Sequence, residues 1–322
     1  MAAITYLEYA KSFDIQSKQR AIIELFPEAV DFLSVLPWHD APGGVYRYQE
    51  EGALSTGMAF RALNEEPTSA YGLVQDRVEQ CYPIVGQIDV DRVQVQRMGS
   101  GHRSTLERME IKRKAAVWAD NFMFGDNATN PRTPTGLKTR LRAVGGSTDG
   151  SNYLSRILAN SSAVGGGALS LAQLDRAIGL VESANAIIMP KALLDRFPAA
   201  QRDTTIGGFI SLDKDEMGRV VTRYRGMPIY TGYGVTKLGE FLPFNEVGVG
   251  GGSAVTSSIY IARFSEDGVT GLQTAPMQVT DIGLTPGGTF LRTDILHDVG
   301  MAILDPFSAI RLSSITNASI VK

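Results

Sequence analysis

The sequence predicts an α+β protein, and three stretches carry that reading. Residues 103–124 place Ile111, Ala115, Trp118 and Phe122 at i, i+4, i+7 and i+11, one stripe of a 3.6-residue period. From residue 219 onward the chain is mostly strand: "RVVTRY", "MPIYTGY", "SIYIARF", "MQVTDIG" and "FLRTDILHDVGMAILDPFSAIRLSSI". Residues 41–95 also alternate apolar and polar side chains, in "GGVYRYQ" and "YGLVQDRVEQCYPIVGQIDVDR". Strands on both sides of the helices predict two interleaved substructures, not two consecutive domains.

In order along the chain, residues 1–40 read as short helical pieces. Ser17 caps a segment with Ala21, Ile22, Leu25 and Phe26, which Pro27 interrupts. The apolar run "DFLSVLPWHD" (31–40) has no partner of its own, so an arm that packs on something else is expected. Between the two alternating stretches lies "EEGALSTGMAFRALNEEPTSA", with Gly52, Gly57 and Pro67: a long two-stranded excursion with an irregular tip. A lone hairpin is marginal in water, and one this long needs a neighbour. The helix 103–124 would be roughly 33 Å long at 1.5 Å per residue. Gly125 would end it as a C′ glycine, and Lys112, Arg113 and Lys114 would lie on a solvated face.

Residues 142–168 are rich in Gly, Ser and Asn and read as exposed loops. Ser170 and Gln173 have capping-box spacing, opening a helix with the stripe Leu171, Leu174, Ile178 and Val181. "AIIMP" reads as a short buried strand, and a short helix follows through Leu193, Leu194 and Phe197.

Composition is that of an ordinary globular chain: 322 residues, 43% hydrophobic and 20% charged. The net charge of −3 attracts neither nucleic acid nor an anionic membrane in bulk. The single cysteine, Cys81, excludes an internal disulfide framework and reads as a small core hydrophobe in an apolar strand. The N-terminus meets Glu8 and Lys11 before any long apolar run, and no stretch nears the roughly 18 apolar residues of a membrane span. A soluble protein made in the cytoplasm, with no membrane partner, is expected.

No motif argues for an enzyme. The stretch "NFMFGDNATNPRTPTGLKTRL" (121–141) suggests a phosphate loop, yet its glycine ends a helix where a P-loop would begin one. Gly250-Gly251-Gly252 lacks the spacing of a dinucleotide fingerprint. His39, His102 and His297 are isolated in sequence, and no G-x-S-x-G elbow exists. The acid pairs Glu50-Glu51, Glu65-Glu66 and Asp213/Asp215 read as solvated charge. No catalytic residue, cofactor or metal is expected.

The order of parts resembles the HK97-like major capsid proteins of tailed bacteriophages. The resemblance is carried by "FLSVLPW" (32–38), "FRALNE" (60–65), "DVDR" (89–92), "FMFGDNATNPRTPTGL" (122–137) and "AILDPFSAIRL" (302–312), and covers nearly the whole chain. It implies an N-terminal arm at 1–40 and an extended loop at 41–88. The peripheral domain would occupy 89–136, with its spine helix at 100–124 and Ile111, Ala115, Trp118 and Phe122 in the core. An axial domain at 137–275 and peripheral return strands at 276–322 would follow. The loop charges Arg47, Glu50, Glu51, Arg61, Glu65 and Glu66 would lie against a neighbouring subunit.

The resemblance further implies self-assembly into pentamers and hexamers of an icosahedral head in a bacterial host's cytoplasm. The head would hold double-stranded DNA, contacted non-specifically. With the arm starting at Met1, a separate scaffolding protein is expected, alongside a portal and a decoration protein. The founding member's lysine–asparagine cross-link is not expected, because no lysine occurs between Lys18 and Lys112. Arginine, always protonated, is a poor substitute nucleophile. The alternatives are an encapsulin-type compartment, an α+β enzyme with a scattered site, and a charge-driven nucleic-acid coat. The last is opposed by Glu8, Asp14 and Glu24, which offset Lys11, Lys18 and Arg20.

Overall fold

The computed structural model describes residues 30–53, 60–66, 69–144, 146–150, 155–202, 210–214, 220–232 and 241–321. The helical pieces expected before residue 30, with the Ser17 cap, lie outside the described residues. In chain order, strands β1 (Trp38–Asp40), β2 (Val45–Ala53), β3 (Leu73–Gln80) and β4 (Tyr82–Asp91) lead into helices α1 (Arg92–Met98) and α2 (Ser100–Phe124). A short helix α3 (Leu137–Arg140), strand β5 (Ile157–Ala159), helix α4 (Leu171–Gly179), strand β6 (Ala186–Ile188) and helices α5 (Lys191–Leu194) and α6 (Phe197–Gln201) follow. The rest is strand: β7 (Ile210–Lys214), β8 (Val220–Tyr224), β9 (Met227–Tyr230), β10 (Glu246–Val247), β11 (Ala254–Ala262), β12 (Val269–Gln273), β13 (Gln278–Leu284), β14 (Phe290–Ile303) and β15 (Ala309–Thr316).

These strands make two main sheets. The first runs β1-β12-β14-β13, with β4 also paired to β14; the second runs β5-β15-β11-β6-β9-β8-β7, with β10 on β11. The two are interleaved in sequence, as the strand distribution implied. Their membership differs from the expected boundaries. After β14 the chain turns at Asp305–Ser308, and β15 enters the second sheet between β5 and β11, so residues 276–322 do not all return to the first. Conversely, β12 lies inside 137–275 yet belongs to the first sheet.

Helix α2 covers the first sheet. Ile111, Ala115, Trp118 and Phe122 are all fully buried, at the phase their spacing predicted. The arm reading of residues 31–40 is corrected here, because that segment finds its partner in its own chain. Val30, Phe32, Leu33 and Leu36 are buried, and the Phe32 ring lies 5.5 Å from Phe122 and 5.8 Å from Phe241. β1 pairs in parallel with β12, a strand that sequence reading passed over. Gly271 makes the pairing possible: a Cβ there would sit 2.8 Å from the indole of Trp38. Trp38 in turn packs 5.9 Å from Trp118.

Gly125 does end α2, but not as a left-handed cap. Its φ is −53°, and the requirement for glycine is close backbone approach: a Cβ would lie 2.2 Å from the Pro134 carbonyl and 2.5 Å from that of Asn121. Gly136 donates to the Gly125 carbonyl at 2.8 Å, closing the loop that hands the chain to the second sheet. Ser170 stands at the N-cap of α4 in extended conformation without a side-chain cap bond, so the expected capping box is not formed. The region 142–168, expected to be exposed loop, holds a buried piece. Arg156 donates to the Gly150, Leu180 and Ala309 carbonyls, and β5 beside it joins the second sheet.

The N-terminal half of α2 also departs from the solvated face its charges suggested. Lys112 and Arg113 are exposed, but Arg103, Glu107 and Lys114 are buried. They share the core-facing side with Ile111 and Trp118, because residues 3, 4 and 7 apart line one face. Arg103 donates to Asp281 and Thr293, each at 2.6 Å, and Thr293 donates to Glu107 at 2.9 Å. The ammonium of Lys114 has no hydrogen-bond partner among the described residues. Burial pushes its pKa down to about 7, and burial, followed by the nearby Lys114 charge, pushes His297 on β14 down to about 3.

Both groups bind fewer protons folded than unfolded, so stability falls as pH falls. The Lys114 limb runs from about 10.5 to about 7 and the His297 limb from about 6.5 to about 3. Lys114→Met should abolish the first limb and raise stability at pH 7 by roughly 2–4 kcal/mol. Urea midpoints of the full chain between pH 6 and 10 check this; a variant no more stable than the parent at pH 7 contradicts the burial of the charged amine.

Candidate assembly surfaces

The hairpin of β2 and β3 is a two-stranded sheet of its own, in register from Val45 opposite Gln80 to Glu51 opposite Val74, with a one-residue shift before Ala53 opposite Leu73. It ends at Gln80, not at residue 88, because β4 pairs with β14 in the first sheet. Its two feet turn sharply: Gly43 and Gly44 have φ of +76° and +75°, and Cys81 donates to the Gly44 carbonyl at 2.9 Å. Cys81 is therefore a half-buried hinge residue between strands, not a strand residue, and burial pushes its thiol pKa up.

Two contacts pin the base. Arg140 of α3 grips Glu79 with both guanidinium branches at 2.6 and 2.7 Å. Tyr48 donates to the Ile303 carbonyl at 3.1 Å, and burial, then the Glu79 charge, pushes its hydroxyl up to about 12. Tyr46 and Tyr48 pack on a small cluster of Ala41, Leu272 and Ala302.

Beyond that base the hairpin has no cover within the chain among the described residues. Phe60, Leu63 and Tyr71 are each more than 90% exposed, and Val74 and Val78 are more than half exposed. The charges singled out from sequence have mixed fates. Arg47 and Glu66 are exposed. Glu50 is taken by Arg77 across the hairpin at 2.6 Å. Arg61 donates to the Glu65 carbonyl, and Ala62 donates to the Glu65 carboxylate at 2.9 Å, a local staple across the turn at Asn64 (φ +68°). Glu51 lies opposite Val74. The apolar tip residues were the missed signal: bulky side chains inside a segment otherwise made of turn formers.

A second cluster fixes the junction between α3 and the second sheet. The buried carboxylate of Glu246 receives Lys138 at 2.8 Å, Arg311 at 2.7 Å and the Ser258 hydroxyl. Burial alone would raise its pKa; the Arg311 charge and the Lys138 and Ser258 hydrogen bonds outweigh burial and hold it below the ordinary carboxylate value. No sequence spacing marks this set, whose members are up to 173 positions apart (Lys138 to Arg311).

Among the described residues no group of three or more His, Cys, Asp or Glu side chains could hold a metal. An open polar cleft is lined by Ser147, Asp149, Asn160, Gln173 and Arg176; no His or Cys stands beside its serines. No helix among the described residues is long and apolar enough to cross a membrane.

This architecture is the HK97-like capsid fold. No family model matches the chain, and no curated protein matches it. Solved structures do. The capsid of a native GTA particle superposes with a TM-score of 0.63 at 14% identity, over 89% of this chain and 91% of that one. The holo-SrpI encapsulin complex from Synechococcus elongatus PCC 7942 gives 0.60 at 13%, over 90% and 89%. The capsid of cyanophage A-1(L) gives 0.58 at 12%, over 89% and 93%.

Arg140→Gln should loosen the hairpin without disturbing the sheet it springs from. Loss of a partly buried bidentate pair costs about 1–3 kcal/mol. Amide hydrogen exchange in Val45–Ala53 and Leu73–Gln80 should speed up by about tenfold or more, while β14 stays protected. Equal exchange in parent and variant would show that the pair does not hold the hairpin.

Proposed function

We propose that the chain is the structural shell subunit of a tailed-phage head, assembling with itself into pentamers and hexamers of an icosahedral capsid that encloses double-stranded DNA. The observation that carries this is the uncovered hairpin. A two-stranded ribbon with Phe60, Leu63 and Tyr71 bare at its tip is marginal in water and gains stability by burying that surface on another copy. Obligate interfaces of this kind bury several thousand Å². The protein's work is mechanical and not catalytic. A separate scaffolding protein, a portal and a decoration protein are the partners this reading implies. An encapsulin-type compartment is the second reading, supported by the likeness to the holo-SrpI complex.

Negative-stain microscopy of the expressed protein should show closed icosahedral particles or capsomers. Replacing residues 50–66 with a short turn should leave a soluble, folded subunit that no longer closes into stable shells. Normal particles from that deletion would remove the hairpin from assembly, and a compact small oligomer from the parent chain would overturn the shell reading. Particles that enclose a protein cargo and no DNA would favour the encapsulin reading.

The shell would be held non-covalently, since no lysine lies on the hairpin and Cys81 is half-buried at its foot. Purified particles boiled in detergent should run as a single band near 34.8 kDa with or without reductant. A ladder that survives reductant would reveal an amide cross-link, and one that disappears would point to Cys81.

A further inference from the structure

The outward side of α2 carries a basic ridge that no ion pair among the described residues explains. Arg108, Lys112 and Arg113 fall within two turns, over roughly 7.5 Å of helix axis. Lys112 and Arg113 are exposed, and Arg108 is partly exposed. None of the three makes an ion pair among the described residues, and neither does the flanking Glu110. Elsewhere basic side chains near carboxylates are used: Arg77 with Glu50, Arg140 with Glu79, Arg263 with Asp305 and Arg292 with Asp89. On the ridge, Arg108 and Lys112 stand at i, i+4, a like-charge spacing that destabilises a helix by a few tenths of a kcal/mol. The Arg108 Nε is shielded from solvent and has no acceptor among the described residues. Exposed Met109 lies between the ridge residues, and the flanking Glu110 offsets one of the three charges, leaving the face net positive.

An array of unpaired cations on a chain whose net charge is −3 asks for an anionic partner of regular, dense charge. Duplex DNA presents about one phosphate charge per 1.7 Å of axis, so a short helix face meets several at once. The geometry points to the outward face of α2 as a contact surface for the phosphate backbone of duplex DNA, with Arg108, Lys112 and Arg113 as the contacting side chains. This rests on the shell reading for its biological setting: in a DNA-filled shell this face would line the interior. The contact is sequence-independent, because three cations on a helix exterior with no element entering a groove touch backbone and not base edges. It also reconciles an acidic chain with a DNA-filled shell: attraction is local to one face, and bulk charge keeps the subunit from condensing DNA on its own.

The test is binding of a random-sequence 30-base-pair duplex to the full chain, followed by fluorescence anisotropy across a salt titration. The variant Arg108→Gln/Lys112→Gln/Arg113→Gln should bind about tenfold or more weakly, and its log affinity against log salt should flatten by about 2–3. A control variant, Arg132→Gln/Arg142→Gln/Lys191→Gln, makes the same change in net charge at other exposed sites and should keep the parent slope. Arg108→Lys/Arg113→Lys keeps the charges and should also keep it. Circular dichroism shows that each variant folds. Equal slopes for the ridge and control variants overturn the inference. So does ridge-dependent binding of poly-glutamate without ridge-dependent binding of duplex, which would identify an acidic protein as the partner. Sedimentation of the same preparations reports shell formation separately. Particles that close without ridge-dependent binding leave the shell reading standing, and ridge-dependent binding without particles removes the shell reading alone.

Discussion

The packing of α2 on β14 is the constraint on which the rest of this structure depends. β14 pairs with β4, β12 and β13, and the helix lies over that sheet through Ile111, Ala115, Trp118 and Phe122. Each partner of β14 brings a functional segment with it. β4 delivers the hairpin, β12 provides the edge on which β1 docks, and the exit of β14 leads through Pro306 into the second sheet. A change in the register of β14 would thus shift the hairpin, the docked segment and the second sheet together, since a one-residue slip reverses every side chain on a strand.

The same interface carries a polar cost. Arg103, Glu107 and Thr293 bond one another, but Lys114 contributes an amine with no hydrogen-bond partner among the described residues, near His297, whose ring packs 5.7 Å from Trp38. Buried charge of this kind lowers stability.

The hairpin and the helix exterior are opposite solutions to exposure. The hairpin tip shows bulky apolar groups and is suited to another protein surface, whereas the α2 ridge shows unpaired cations and is suited to a polyanion. The ion pair of Arg140 with Glu79 and the cluster around Glu246 sit between them, at the two points where α3 ties the hairpin base and the second sheet to one short helix. At 12–14% identity, the superposed capsid and encapsulin chains share the fold of this chain and little of its sequence.

What the sequence by itself determined were the features with a local period or a local steric demand. The α2 stripe is one, with Trp118 and Phe122 at helical spacing; the strands from residue 219 and the long hairpin are others, as is the break at Gly125. What only the tertiary structure decided was who pairs with whom. The parallel pairing of β1 with β12, the passage of β15 into the second sheet, the burial of Lys114 against His297 and the assembly of Glu246 with Lys138 and Arg311 all join residues far apart in sequence. Periodicity reports the environment of a residue relative to its own helix or strand. It carries no information on which distant segment supplies the other half of the contact, so a charge such as that of Lys114 reads as solvated until the opposing strand is in place.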